Sequence, residues 1–196
     1  MTRVPLREID GTDPATADVF RAFERENRAP IDLYRALANA PGLLGGFHEL
    51  SDALRYRGRV PRRLRELAIL RTACLTGSEY EWSHHAGMAL AAGAGEEQIT
   101  GIVRWADSGA FGAVERAVLA LADEMHAGRV SDATFAAAVA ATSTEEATEL
   151  VVLCAHYQGV ARIIQALGVR TEPAYAAAAP WPGRIHHAEP GPAQTR

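Results

Sequence analysis

Cysteine is scarce in this chain: among 196 residues only Cys74 and Cys154 are thiols, far apart, and no CxxC occurs. Two cysteines allow at most one bridge. The N-terminus (MTRVPLREIDGTDP) is charged and lacks the apolar stretch of a secretory signal, so free thiols in a cytoplasmic protein are expected. Both lie in apolar runs, which suits a buried structural role. A basic excess is also missing. The formal net charge is −4, with Lys and Arg spread along the sequence, which argues against a nucleic-acid-binding face. No apolar run approaches the ~20 residues of a membrane span, so no membrane partner is expected. Strand-like alternation of Val, Ile, Thr and aromatics is nearly absent too.

What remains is an all-α pattern: apolar helical stripes, capping residues and short glycine breaks, rich in Ala and Leu. Asp13-Pro14 predicts a first helix running to about Arg28, buried through Val19, Phe20 and Phe23. A second stretch covers Ile31 to Ala40. Gly42, Gly45 and Gly46 then interrupt the pattern, and Phe47 to Arg57 forms a further short helix. Pro61 opens a helix to about Leu75, stopped by Gly77, and Ser78 starts another that extends to Ala92. Helices follow at Gln98 to Asp107, Gly112 to Ala127 and Ala133 to Ala141. The S-x-x-E box of Ser143 and Glu146 starts the last, Thr144 to Leu167. Leu150 to Ala155 is apolar on every side, so that helix is expected to cross the core. One helical domain thus spans residues 1–171. From Glu172 the prolines at 173, 180, 182, 190 and 192 make a C-terminal tail (172–196), disordered or extended on a neighbouring surface.

Chemistry-bearing residues concentrate between Glu66 and His85. Ser78, Glu81 and His85 are spaced by three and four on one helix and share a face. A tight Gly77 turn would bring Glu66, from the preceding helix, against it. A carboxylate beside an imidazole suits acid–base work near neutral pH, and a half-buried second carboxyl has its pKa raised into a useful range. Structural roles compete with these. Ser78 and Glu81 also make an S-x-x-E capping box, Glu66 can pair with Arg62 or Arg63, and His84 with His85 can be a solvated pair.

The stretch RELAILRTACLTGSEYEWSHHAGMALAAGAGEEQI, Arg65 to Ile99, resembles the core of the carboxymuconolactone decarboxylase and alkylhydroperoxidase D-like superfamily. ELVVLCAHYQGVARIIQALGV, Glu149 to Val169, is similar to its closing helix, and a core motif over residues 61–169 follows. The redox branch of that superfamily carries a glutamate, a CxxC and a histidine. By position the glutamate is Glu66, the histidine His85, and the two cysteines are replaced by Ser78 and Glu81. Thiol peroxidase chemistry needs the missing thiols, so the resemblance implies the non-redox branch. It also implies a homo-oligomer, trimer or hexamer, with the site near a subunit boundary.

The expectation is a cofactor-independent lyase or isomerase without a metal, acting on a small oxygenated, cyclic carboxylic acid or lactone. His85 is the main proton-transfer group, Glu81 orients it or is the second acid–base group, and Glu66 tunes the pair or binds substrate. Ser78, Tyr80 and His84 supply hydrogen bonds to the substrate, and Trp82 an apolar wall. Two other hypotheses stand beside it: a metal site built on the single E-x-x-H of Glu81 and His84 with Glu66, and a non-catalytic helical scaffold.

Overall fold

The computed structural model describes residues 2–9, 13–25, 29–175 and 180–183. Among them the chain forms nine α-helices and no strand: α1 (Pro14–Arg25), α2 (Asp32–Leu37), α3 (Pro41–Asp52), α4 (Arg62–Thr76), α5 (Glu79–Ala91), α6 (Glu96–Gly101), α7 (Ala113–His126), α8 (Asp132–Ala141) and α9 (Thr144–Leu167). The all-α class is as expected. Local chemistry accounts for most helix ends. Asp13 Oδ1 accepts the backbone N–H groups of Ala15 and Thr16 at 3.0 and 3.2 Å, and Ser143 Oγ accepts that of Glu146 at 3.1 Å, each satisfying donors a helix start leaves open. The end of α1 expected near Arg28 falls beyond Arg25, where residues 26–28 lie outside the described residues, as do Pro190 and Pro192.

Two expectations need correction. The glycines at 42, 45 and 46 do not interrupt anything: α3 starts at Pro41 and runs through all three, then widens into a π-turn over Ala53–Arg57. Pro41 presets the first turn, and the glycines face outward while Leu44 and Phe47 pack with Phe20, Phe23 and Tyr34. That burial outweighs a helix penalty of roughly 1 kcal/mol per glycine. Nor is α9 covered on every side. Ala147, Leu150, Leu153, Cys154, Tyr157 and Ala161 are buried, but Val152 is 40% exposed. By length and hydropathy α9 is apolar enough to cross a membrane, which qualifies the expected lack of a long apolar run. Its inner face is a core face, packed with Ala68 and Ile69 of α4 and Val118 and Leu121 of α7.

The centre of the molecule is α4. From Glu66 to Thr76 every residue is buried, enclosed by α5, α7 and α9. Gly77 ends it in the left-handed region, at φ 74°, and turns the chain straight into α5. A charged residue inside α4 therefore has no route to water and must find its partner in a neighbouring helix. Arg71 does so through a two-pronged ion pair with Asp123 of α7 (2.5 and 2.9 Å) and the carbonyls of Ile102 and Val103.

Because Gly45 has open space where a Cβ would go and no positive φ, Gly45→Ala should stabilise the fold by roughly 0.5–1 kcal/mol. Urea unfolding of the two proteins side by side measures this.

Candidate active site

The α4–Gly77–α5 hairpin sets Glu66 opposite His85. The imidazole Nδ1 lies 2.7 Å from Glu66 Oε2, and both side chains are buried. Arg62, one turn before Glu66, approaches its other oxygen at 3.8 Å from a half-exposed position. Burial opposes ionisation of Glu66, but the His85 contact and the positive charges of Arg55 and Arg62 outweigh it and hold the carboxyl below its ordinary value. Burial depresses His85, more strongly than Glu66 raises it. The pair at neutral pH is thus a carboxylate accepting Nδ1–H from a neutral ring, which leaves Nε2 as the nitrogen with the lone pair.

Glu81 lies one helical turn before His85, yet the two do not pair. Its side chain is only 2% exposed and neither carboxyl oxygen has a hydrogen-bond partner. Burial pushes its pKa up to about 8, with the Ser78 hydroxyl opposing from outside hydrogen-bond geometry. A lone carboxyl in such surroundings is protonated at neutral pH. The capping box is therefore only half made: Ser78 Oγ accepts the Glu81 N–H at 3.4 Å, and Glu81 does not reach back.

Both groups open on one cavity of about 60 Å³. Phe23, Leu33, Phe47 and Val160 supply apolar wall, and Arg55, Ser51, His156 and Tyr157 join Glu81 and His85 as polar lining. Tyr157 meets the His85 ring edge-on at 5.1 Å. His156 Nε2 lies 3.0 Å from Ser51 Oγ, and burial lowers its pKa to about 4. The rim is closed by a segment from beyond α9. Glu172 accepts from the Asp32 backbone N–H (2.6 Å) and the Tyr80 hydroxyl (3.1 Å), and its carboxyl lies 2.8 Å from His84 Nε2. His84 is sandwiched between Tyr80 and Tyr175, with ring centroids 4.4 and 3.8 Å away.

The carboxymuconolactone decarboxylase family model matches residues 41–124, from the start of α3 into the last turn of α7. The fold also matches the alkylhydroperoxidase AhpD core of a peroxidase-related protein from Ralstonia eutropha JMP134, with 18% identity, TM-score 0.75, and 89% of this chain and 94% of that one covered. A protein of unknown function from Agrobacterium tumefaciens, assigned to AhpD-type antioxidant defence, aligns with 21% identity and TM-score 0.65 over 69% of this chain and 94% of its own. Residues 41–124 thus resemble the carboxymuconolactone decarboxylase family, and the fold is that of AhpD-like proteins. Another member of the fold, a cysteine-to-alanine variant of the debrominase Bmp8 in complex with 2,3,4-tribromopyrrole, matches with 21% identity and TM-score 0.75, covering 89% and 94%. No curated protein matches significantly by sequence.

Within this superfamily fold, five of the seven candidate residues converge: Glu81, His85, Tyr80 and His84 line the cavity, and Glu66 reaches it through His85. Two do not. Ser78 is a helix cap facing a separate groove beside Gly168 and Arg170. Trp82, 1% exposed, points into the core among Leu67, Leu70 and Ile99, because a one-residue step from Glu81 turns the side chain by ~100°. It walls no cavity. The E-x-x-H does not converge either, since His84 turns to Glu172, and among the described residues no group of three metal-ligating side chains forms. Both cysteines are free and buried in separate core clusters, their thiols pushed up to about 12. The residues that sequence reasoning missed are Arg55, His156, Tyr157 and Glu172. A signal existed for two of them: His156 and Tyr157 break an otherwise apolar helical run.

Glu172→Ala should cost about 1–3 kcal/mol, since it leaves three buried or half-buried donors without their acceptor. It should also speed tryptic cleavage after the exposed Arg170. Chemical denaturation and timed proteolysis read the two effects.

Proposed function

We propose that this protein is a cofactor-independent acid–base enzyme acting on a small, ring-bearing oxygenated carboxylic acid or lactone, by decarboxylation or proton transfer. One observation carries it: an imidazole and a carboxyl, one helical turn apart on the same apolar cavity, are both driven to their uncharged forms by burial. They are a base and an acid available together at neutral pH. The complex of the Bmp8 variant with 2,3,4-tribromopyrrole supports a small ring as a ligand size this fold accommodates.

In the proposed reaction His85 Nε2 takes the proton from a carbon next to a carbonyl, and the C–H electron pair moves into the carbonyl oxygen. Glu66 stabilises the imidazolium that forms, because its carboxylate already holds Nδ1–H. Glu81 donates its proton to the developing enolate oxygen. The imidazolium then returns its proton to a different carbon while the enol hydroxyl gives its proton back to Glu81, which completes an isomerisation and restores both groups. In the decarboxylative variant the C–C bond to the leaving carboxylate breaks, carbon dioxide departs, and the carbon left with the electron pair is protonated by Glu81. Tyr80 and His84 bound the substrate on the rim side. Thiol-peroxidase chemistry finds less support, since Ser78 and Glu81 occupy its cysteine positions and no thiol of the described residues lines the cavity. The working form is taken to be a cytoplasmic homo-oligomer, trimer or hexamer. Leu43, 74% exposed, and Val152 would suit its contacts, and light scattering tests it.

A panel of lactones and keto acids, followed for carbon dioxide release and for deuterium uptake from solvent, tests the chemistry. His85→Gln should lower turnover about 100-fold or more with helicity unchanged. An unchanged rate removes His85 from the mechanism. Wild-type turnover should fall as pH rises through about 8, where Glu81 loses its proton, and Glu81→Gln should lack that limb.

Stability supplies an independent check on Glu81. Its folded pKa, about 8, lies above the ordinary 4.5, so between these values the folded state keeps a proton that the unfolded state has released. The stabilising contribution is complete below the lower value and is lost as pH rises through the upper one. Between about pH 5 and pH 8 the wild type should therefore lose stability relative to Glu81→Gln, by an amount on the order of a few kcal/mol. Melting the two proteins across that range measures the difference.

A further inference from the structure

Arg55 is the cation of the cavity with no carboxylate in direct contact among the described residues. It stands on the π-turn that ends α3 and is half-buried. A guanidinium offers five N–H donors, yet the hydrogen bond it makes among the described residues is a weak one, from Nη2 to Met88 Sδ at 3.9 Å. Its carbon also lies 4.9 Å from the Tyr56 ring centroid. No carboxylate of the described residues comes within ion-pair distance. The two acids nearest in function are unavailable: Glu66 is bound to His85 and approached by Arg62, and Glu81 is held uncharged by burial. The Glu66 charge acts on Arg55 only from beyond contact, so most of its N–H donors stay open, and the ligand that fits them is an anion with a planar, two-oxygen face.

We propose that Arg55 is the anion-binding subsite of this cavity and takes the carboxylate of a ring-bearing organic acid, with the ring against Phe23, Leu33 and Phe47. This rests on the acid–base function proposed above and adds to it a constraint on the reaction. In a decarboxylation the negative charge leaves the departing carboxylate in the transition state. A guanidinium clamped on that group would stabilise the ground state more than the transition state. The carboxylate held by Arg55 is therefore one that the substrate keeps, and the bond changes occur at a carbon served by His85 and Glu81. Proton transfer on a monocarboxylate, or decarboxylation of an acid with a second carboxylate, satisfies this. Loss of a sole carboxylate does not.

Calorimetric titration with benzoate and with its uncharged analogue benzyl alcohol tests the subsite without knowledge of the substrate. Wild-type protein should bind benzoate at least tenfold more tightly than benzyl alcohol. Arg55→Met should weaken benzoate at least tenfold and leave benzyl alcohol nearly unchanged, and Arg55→Lys, which keeps the charge but loses the fork, should fall between. Melting of ligand-free Arg55→Met should be unchanged or modestly lowered, because Glu66 loses one of the positive charges that help hold it ionised. Should that variant not fold, Arg55→Lys and the benzoate–benzyl alcohol contrast decide the matter. His85→Gln should keep its benzoate affinity. Arg55-dependent benzoate binding in a protein with no turnover on any substrate would overturn the acid–base chemistry alone. Equal binding of the two probes, unchanged benzoate affinity in the Arg55 variants, or no wild-type response to millimolar benzoate would overturn the subsite.

Discussion

A helix enclosed on all sides imposes one constraint from which the rest of this structure follows: every charge it carries must be answered from a neighbour. α4 carries two such charges in its buried stretch. Arg71 is answered by Asp123 and two backbone carbonyls, a fully satisfied arrangement that ties α4 to α7. Glu66 is answered by His85, which ties α4 to α5. The first pairing uses up its groups. The second does not, because a histidine that donates through Nδ1 retains a second nitrogen, and that nitrogen belongs to a cavity-lining ring. Structural necessity and chemical capability thus meet in one hydrogen bond.

Around that bond the molecule tolerates two groups it does not satisfy, Glu81 and Arg55. A carboxyl with no hydrogen-bond partner and a guanidinium with only a thioether are each unfavourable for folding. Both face the same space, and they differ in how they meet the problem. Glu81 gives up its charge, since protonation is open to a carboxyl. Arg55 cannot, because a guanidinium stays charged at any accessible pH. A cavity walled by phenylalanine and leucine and furnished with a neutral acid, a neutral base and a fixed cation is the polarity pattern of a site for a small anion.

The resemblance to the redox branch implies a pair of cysteines at the positions where this chain has Ser78 and Glu81. The replacement keeps the helix start, with Ser78 as a cap, and replaces a soft nucleophile by an oxygen acid at the position that faces the cavity. The segment that closes the rim comes from outside the matched family region. Glu172 and Tyr175 come from beyond α9 and engage His84 and Tyr80, so the approach to the cavity is shaped by residues that the family's shared segment does not contain.

The amino-acid sequence by itself determined the helical class, nearly every helix end, and the short region in which the candidate site falls, because caps, glycine stops and apolar spacing act over a few residues of backbone. It also placed Ser78, Glu81 and His85 on consecutive turns of one helix. Tertiary structure alone decided that His85 pairs with Glu66 and not with Glu81, that Trp82 turns into the core, and that α3 persists through three glycines because Leu44 and Phe47 have a partner surface on α1 and α2. It alone brought Arg55, His156 and Tyr175, from three distant segments, to one cavity. Those outcomes depend on how helices rotate and pack against one another, and no local preference of the chain encodes that relative placement.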